Sequence, residues 1–181
     1  MVDLPNWCFG TVHVTGRPRD IENFCKLFIF TEDEGNRSKE DSQFFARSFA
    51  ETSWESFKKA HLGGTDADFT INFAWSAYSC LINGYPDGGK LITLVDACKQ
   101  YGVDVVIDTE EPGMGFEEHM ECTREGVLVD TSKDMPTYKC ECGSEQWIPS
   151  NYDPDDEYCY ECGKIGKWLP EVENEDSGVK S

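Results

Sequence analysis

Positive charge is scarce in this chain. Sixteen Lys and Arg stand against 35 Asp and Glu, a formal net charge of −19 over 181 residues. Broad binding along a nucleic-acid backbone draws on clustered Lys and Arg, so direct nucleic-acid binding is not expected. Docking on an anionic membrane surface is disfavoured by the same sign. No stretch approaches the roughly 18 consecutive apolar residues of a membrane span. The first residues, Met1-Val2-Asp3-Leu4-Pro5, show neither the basic nor the apolar segment of an export signal. The expectation is therefore a cytoplasmic protein with no membrane partner. Aromatic residues, at 13%, are too many for an acidic disordered tail. A mass of 20.5 kDa accommodates one ordinary domain and a small appendage.

Nine cysteines are present, an odd number. Without an export signal, a reducing compartment is the natural setting and a disulfide framework is not expected. Cys8, Cys25, Cys80, Cys98 and Cys122 fall singly in apolar segments and read as small core residues. Cys140, Cys142, Cys159 and Cys162 form a C-x-C pair and a C-x-x-C pair. Two thiolates on a tight turn fill two corners of a tetrahedron, and a second turn supplies the other two. Gly143 and Gly163 each follow the second cysteine of a pair, where a positive φ lets the chain reverse and aims the glycine N–H at a sulfur. One structural Zn²⁺ is the expected occupant. Redox-active thiols and a metal-free cluster are the alternatives. Four thiolates leave no open position, which argues against a catalytic zinc.

Hydrophobic periodicity places the elements. Residues 8–15 alternate as a strand. Ile21, Phe24, Cys25 and Phe28 recur at helical spacing behind Pro18. Residues 31–41 read as a polar loop. Thr52-Ser53-Trp54-Glu55 has the form of a capping box opening a helix with Trp54 and Phe57 that stops at Gly63-Gly64. Residues 68–75 form the clearest strand, and a Gly/Pro-rich loop, 83–89, comes after it. Leu91, Leu94, Val95 and Cys98 mark a second main helix, closed by Gly102. Three strands are expected at 103–109, 116–123 and 126–129, the last two joined by a turn at Glu125-Gly126. Two main helices over one face of a mostly antiparallel sheet make an α+β two-layer sandwich. The organisation expected is a first domain over 1–135, a zinc ribbon over 136–170, and a disordered acidic tail over 171–181.

Three segments carry a resemblance. Pro5-Asn6-Trp7-Cys8 leads into a strand ending Val14-Thr15-Gly16. Phe73-Ala74-Trp75-Ser76 closes the central strand, and Glu111-Pro112-Gly113-Met114-Gly115-Phe116 joins two late strands. Over residues 4–132 the chain resembles the YubB ferredoxin-like domain family. His61-Leu62-Gly63-Gly64-Thr65 stands where that family tends to carry Trp-Gly-Thr-Lys-Trp. The resemblance implies a ferredoxin-like sandwich encoded on a phage, plasmid or other mobile element. It supplies no catalytic residue and does not extend to the cysteine-rich part.

Alternation also marks one candidate surface. Asp104, Asp108 and Glu110 share one face of their strand, and Glu117, His119 and Glu121 share one face of the next. If the strands are neighbours, the open sheet face collects carboxylates and a histidine. That face reads as a cation or acid/base site, as a surface imitating nucleic-acid phosphate, or as a solvated polar face. Cys8 with His13 or His119 is a further nucleophile pair to weigh against a core cysteine. His61 is a possible spare metal ligand, or a cation suited to a helix end. Gly113-Met114-Gly115 reads as a turn. Trp147, Tyr152, Tyr158, Tyr160 and Trp168 read as packing around the metal or as a protein-binding surface, because Asp153, Asp155, Asp156 and Glu157 beside them repel phosphate.

The function these features favour is binding without catalysis. The chain reads as a small acidic zinc protein of phage or plasmid origin, working in a bacterial cytoplasm. Its partner would be a host or phage protein with a basic surface, and inhibition of a nuclease by nucleic-acid mimicry is one form of that. A nucleic-acid-binding accessory protein using the ribbon is a second reading. A hydrolase using Asp104, Asp108, Glu117 and His119 is a third.

Overall fold

The alternating segment at the start becomes β1 (Trp7–Thr15), which buries Cys8, Val12 and Val14 and turns Phe9 and Thr11 to water. The structure is a computed structural model and describes residues 6–27, 29, 48–61, 63–83, 92–166 and 168–170. The polar stretch 31–41, the loop after residue 83 and the tail 171–181 lie outside the described residues. So do Leu4, Pro5, Phe28, Leu62 and Leu91.

Pro18 opens α1 (Pro18–Cys25), whose Ile21, Phe24 and Cys25 are buried. A three-residue strand, β2 (Ser48–Ala50), is too short to show a period and was not expected. Next comes α2 (Trp54–His61). Its cap differs from the expected box by one residue. Ser53 Oγ accepts the Ser56 N–H at 3.2 Å, and Glu55 pairs with Lys58 at 2.7 Å instead of reaching back to the cap. The central strand, β3 (Asp66–Ala74), begins two residues before the expected position and ends before Trp75. Trp75 leaves it with φ +66°, the left-handed region that a bulky residue occupies only under constraint. A π-helical turn, Ser79–Asn83, comes next. Thr93 caps α3 (Leu94–Tyr101) through the Asp96 N–H, and Gly102 ends it with φ +66°.

Three strands complete this part: β4 (Asp104–Glu111), β5 (Phe116–Cys122) and β6 (Leu128–Asp134). The last is longer than the sequence suggested and exposed along most of its length. The six strands lie in the order β2-β3-β1-β4-β5-β6. The pairings β2·β3, β3·β1, β1·β4 and β4·β5 are all antiparallel. At Gly10 the β1 and β4 backbones approach so closely that a Cβ would lie 2.2 Å from the Asp108 carbonyl oxygen.

One face of this sheet is the core. Val12, Val14, Phe69, Ile71, Phe73, Val105, Ile107 and Met120 meet Ile21 and Phe24 of α1 and Leu94, Ala97 and Cys98 of α3. The short helix also joins the layer. Trp54 and Phe57 are buried, and Phe57 meets Phe69 edge-on at 6.1 Å. Three helices, not two, therefore cover the sheet. Each fully buried large apolar side chain contributes roughly 1.5–3 kcal/mol. On the opposite face Asp66, Asp68, Asp108 and Glu121 are exposed, whereas Asn72 and Ala74 at the other end of β3 are buried.

Residues 1–133 form one compact unit and 134–181 a second, a division two residues ahead of the composition break near Met135-Pro136. In the second unit β7 (Thr137–Cys140) lies between β8 (Glu145–Trp147) and β9 (Trp168–Pro170). Its fully buried apolar groups include Met135, Ile148, Cys140 and Cys159, two of which are candidate ligands.

Candidate metal centre and acidic face

β7 delivers Cys140 to the mouth of a tight hairpin. The Cys140 N–H donates to the Ser144 carbonyl at 2.8 Å, the Gly143 N–H donates back to the Cys140 carbonyl at 2.8 Å, and Gly143 takes φ +94°. The second pair repeats the pattern with one more residue. The Cys159 N–H donates to the Lys164 carbonyl at 2.9 Å, the Gly163 N–H to the Cys159 carbonyl at 2.7 Å, and Gly163 has φ +70°. The C-x-C spacing is thus absorbed by a shorter turn with the same bonding. The glycines do reverse the chain, but their N–H groups go to carbonyls and not to sulfur. Cys159 receives its backbone N–H bonds from Cys162 and Glu161.

All four sulfurs, of Cys140, Cys142, Cys159 and Cys162, lie within 4.8 Å of one another. The Cys140–Cys162 and Cys142–Cys159 Sγ separations are 3.6 and 3.7 Å. A tetrahedral ZnS₄ centre with bonds of about 2.3 Å has edges of about 3.8 Å. The cluster therefore fits a four-coordinate ion, and its soft thiolate donors are compatible with zinc. It is the one such cluster found among the described residues, and His61 is not a member of it. Cys140 and Cys159 are buried, whereas Cys142 and Cys162 are exposed.

A hydroxyl that no sequence pattern marks completes the centre. Ser144 Oγ lies 3.0 Å from Cys159 Sγ and 3.3 Å from Cys142 Sγ. This hydroxyl is the main influence lowering the Cys159 thiol, to about 6, and it also lowers Cys142. Both shifts favour the thiolate, the form that binds metal. A serine after a glycine looks in sequence like an ordinary turn residue, which is why it escaped notice there.

On the first unit the β4–β5 register sets Asp108 opposite His119 and Glu110 opposite Glu117. The candidate residues Asp104, Asp108, Glu110, Glu117, His119 and Glu121 thus share the open face, joined by Asp66, Asp68 and His13 from β3 and β1. They do not converge on one point. Asp104 is held by the Arg124 guanidinium, and Glu117 lies 3.0 Å from Lys133. His13 meets Asp68 at 2.6 Å. His119 places Nδ1 2.6 Å from Asp108 and Nε2 3.0 Å from Glu121, so both ring nitrogens are engaged at a site open to water.

Those two carboxylates, Asp108 first, raise the His119 pKa above its usual 6.5. The protonated ring is the stabilised form. Its contribution is complete below about 6.5 and fades as pH rises through the folded value. An NMR titration should place His119 above 6.5, and the Asp108→Asn variant should bring it down. A midpoint at or below 6.5 in the parent would refute the contact.

The buried face holds a polar cluster at one end of the sheet. Glu118 is only 8% exposed. Its carboxylate accepts from Ser76 Oγ at 2.6 Å, from the Ala77 N–H at 2.7 Å and from Thr109 Oγ1 at 3.4 Å. The Cys8 thiol lies 3.8 Å away. Burial is the main cause that pushes Cys8 up to about 12, which favours the neutral thiol of a core cysteine. Glu111, 1% exposed, accepts the Met114 N–H, which pins the turn where Gly115 takes φ +71°. Asn6 accepts the Trp75 N–H through its carbonyl at 2.8 Å. Asn6, Trp75 and the turn at Gly113 therefore meet at this end of the sheet.

Among the described residues no helix is long and apolar enough to cross a membrane. Compared with known family models, curated proteins and solved structures, the chain matches none.

Proposed function

We propose that this chain is a small acidic zinc protein of phage or plasmid origin that acts by docking on a basic protein surface in place of nucleic acid. A host defence nuclease is the type of target this would suit. The observation that carries the reading is the open sheet face. Asp66, Asp68, Asp104, Asp108, Glu110, Glu117 and Glu121 are displayed together there, around a Phe9 that is 43% exposed. Neighbouring strands are about 4.8 Å apart and alternate residues about 6.8 Å, on a sheet that twists. Closely spaced negative charges on a twisted surface are what a basic nucleic-acid channel is built to accept. Asp66, Asp68, Asp108 and Glu121 are exposed to solvent, a setting for charge display more than for acid/base work, which needs a desolvated carboxyl.

The strand order β2-β3-β1-β4, with helices between β1 and β2 and between β3 and β4, supports a ferredoxin-like first domain, extended at the β4 edge by β5 and β6. The paired knuckles and the three-stranded sheet support a zinc ribbon in the second unit. Zinc held by four thiolates adds a formal charge of −2 to the chain's −19.

The test is capture of the partner from plasmid- or phage-bearing cells, and then affinity measurements at 50 and 500 mM salt. Complementary exposed charges should make binding fall at least about tenfold across that range. The double variant Asp108→Lys/Glu121→Lys should weaken binding by a similar factor. A neutral partner, or binding indifferent to salt and to the charge reversals, would end the proposal.

A further inference from the structure

Exposed apolar groups gather on the second cysteine knuckle. Tyr158, Tyr160 and Ile165 are 51%, 71% and 62% exposed. The two tyrosine rings meet edge to face at 5.1 Å. Tyr158 and Ile165 pair across an antiparallel bridge, which puts their side chains side by side about 5 Å apart. The three thus form one patch. Its backbone is fixed by the knuckle's own bonds and by the Gly166 N–H donating to the Glu157 carbonyl at 3.1 Å. A patch held this way is presented with little ordering left to do on binding.

The residues that flank the patch along the chain are mostly acidic: Asp155, Asp156, Glu157 and Glu161, against Lys164. Carboxylates beside an aromatic face select a particular visitor. A guanidinium stacks flat on a tyrosine ring while its fork bonds a carboxylate, whereas an ammonium lacks that planar fit. A phosphate backbone is repelled by the same carboxylates, so base stacking on these rings is the poorer match. We infer that the Tyr158–Tyr160–Ile165 patch is a docking site for an arginine-bearing segment of a basic protein. The inference rests on the reading of this chain as a binder of basic proteins and adds a second contact, on the metal-holding unit.

The experiment uses the full zinc-loaded chain and two peptides, (Gly-Arg-Arg)₃ and (Gly-Lys-Lys)₃, titrated by calorimetry at low salt. The arginine peptide should bind about fivefold more tightly, the scale of one or two exposed cation–π contacts. Tyr158→Ser/Tyr160→Ser should erase that preference while zinc content stays at one per chain and lysine-peptide affinity stays unchanged. Tyr160→Ser alone, at the most exposed position, should remove part of the preference without touching the fold. Equal binding of both peptides by the parent, a preference that survives both variants, or tighter binding of the oligonucleotide dT₁₀ than of either peptide would overturn the inference. The sheet face is judged separately. If both peptides bind equally and Asp108→Lys/Glu121→Lys weakens both, the knuckle patch fails and the sheet-face reading stands. If the tyrosine-dependent preference holds but the charge reversals change nothing, the patch stands and the sheet-face reading fails.

Discussion

Replacing Cys159 and Cys162 by serine should abolish metal binding and unfold the chain from about residue 136 to 170, leaving the first unit folded. The second unit has little else to hold it. Two of its few buried apolar groups, Cys140 and Cys159, are themselves ligands, beside Met135 and Ile148. Its sheet consists of strands of three or four residues. A unit this small does not bury enough surface to offset its chain entropy. Structural zinc supplies on the order of 10–16 kcal/mol in such peptides, and it is delivered as folding energy. Hydrogen exchange read by NMR separates the two units. Amides of the second unit should lose protection in the variant, or on chelation, while those of β1, β3 and β4 keep theirs. Protected amides in the second unit without metal would mean that the sulfurs are not what holds it together.

Glu118→Ala should be the most damaging single substitution in the first unit. The carboxylate is buried and accepts from Ser76, Ala77 and Thr109, all neutral donors. Removing it orphans the Ala77 N–H in the interior and leaves a void at the end of the sheet. An unsatisfied buried donor costs about 1–3 kcal/mol, and cavity formation adds to that. A loss of roughly 3–4 kcal/mol is expected, enough to lower the melting temperature of the unit by about 10 °C. Glu118→Gln keeps the shape and one acceptor oxygen and should cost less than half as much. Urea unfolding gives both numbers. A Glu118→Ala variant within about 0.5 kcal/mol of the parent, the usual range of an inconsequential surface change, would show that the bonds to Ser76 and Ala77 hold nothing in place. The positive φ of Trp75 has its explanation in the same contacts, since that turn brings the Ser76 hydroxyl and the Ala77 N–H onto one carboxylate.

Local period made much of the architecture readable. Val12 and Val14, Phe69, Ile71 and Phe73, and Leu94 and Cys98 fall on the buried faces that alternation and helical spacing assign them. Gly102 ends its helix in the left-handed conformation, as glycine does. The pairing of β4 with β5 brings Asp108 to His119 because a hairpin fixes its own register. What escaped has physical reasons. β2 has three residues and no period to see. Alternation puts Glu118 on the face opposite Glu117 and His119, but nothing local shows what a carboxylate turned into the core would bond. Its partners Ala77 and Cys8 are 41 and 110 residues away and join it only through the fold. The four cysteines stood out because ligand spacing is local, whereas Ser144 acquires its role only when the second knuckle arrives beside it.

X-ray absorption at the zinc edge on the purified chain tests the central claim most directly, with metal content measured on the same sample. One zinc per chain is expected, with four sulfur neighbours at about 2.3 Å and no nitrogen or oxygen among the atoms bound to it. A metal-free chain whose second unit is nonetheless folded, or a zinc bound by fewer than four sulfurs, would contradict it.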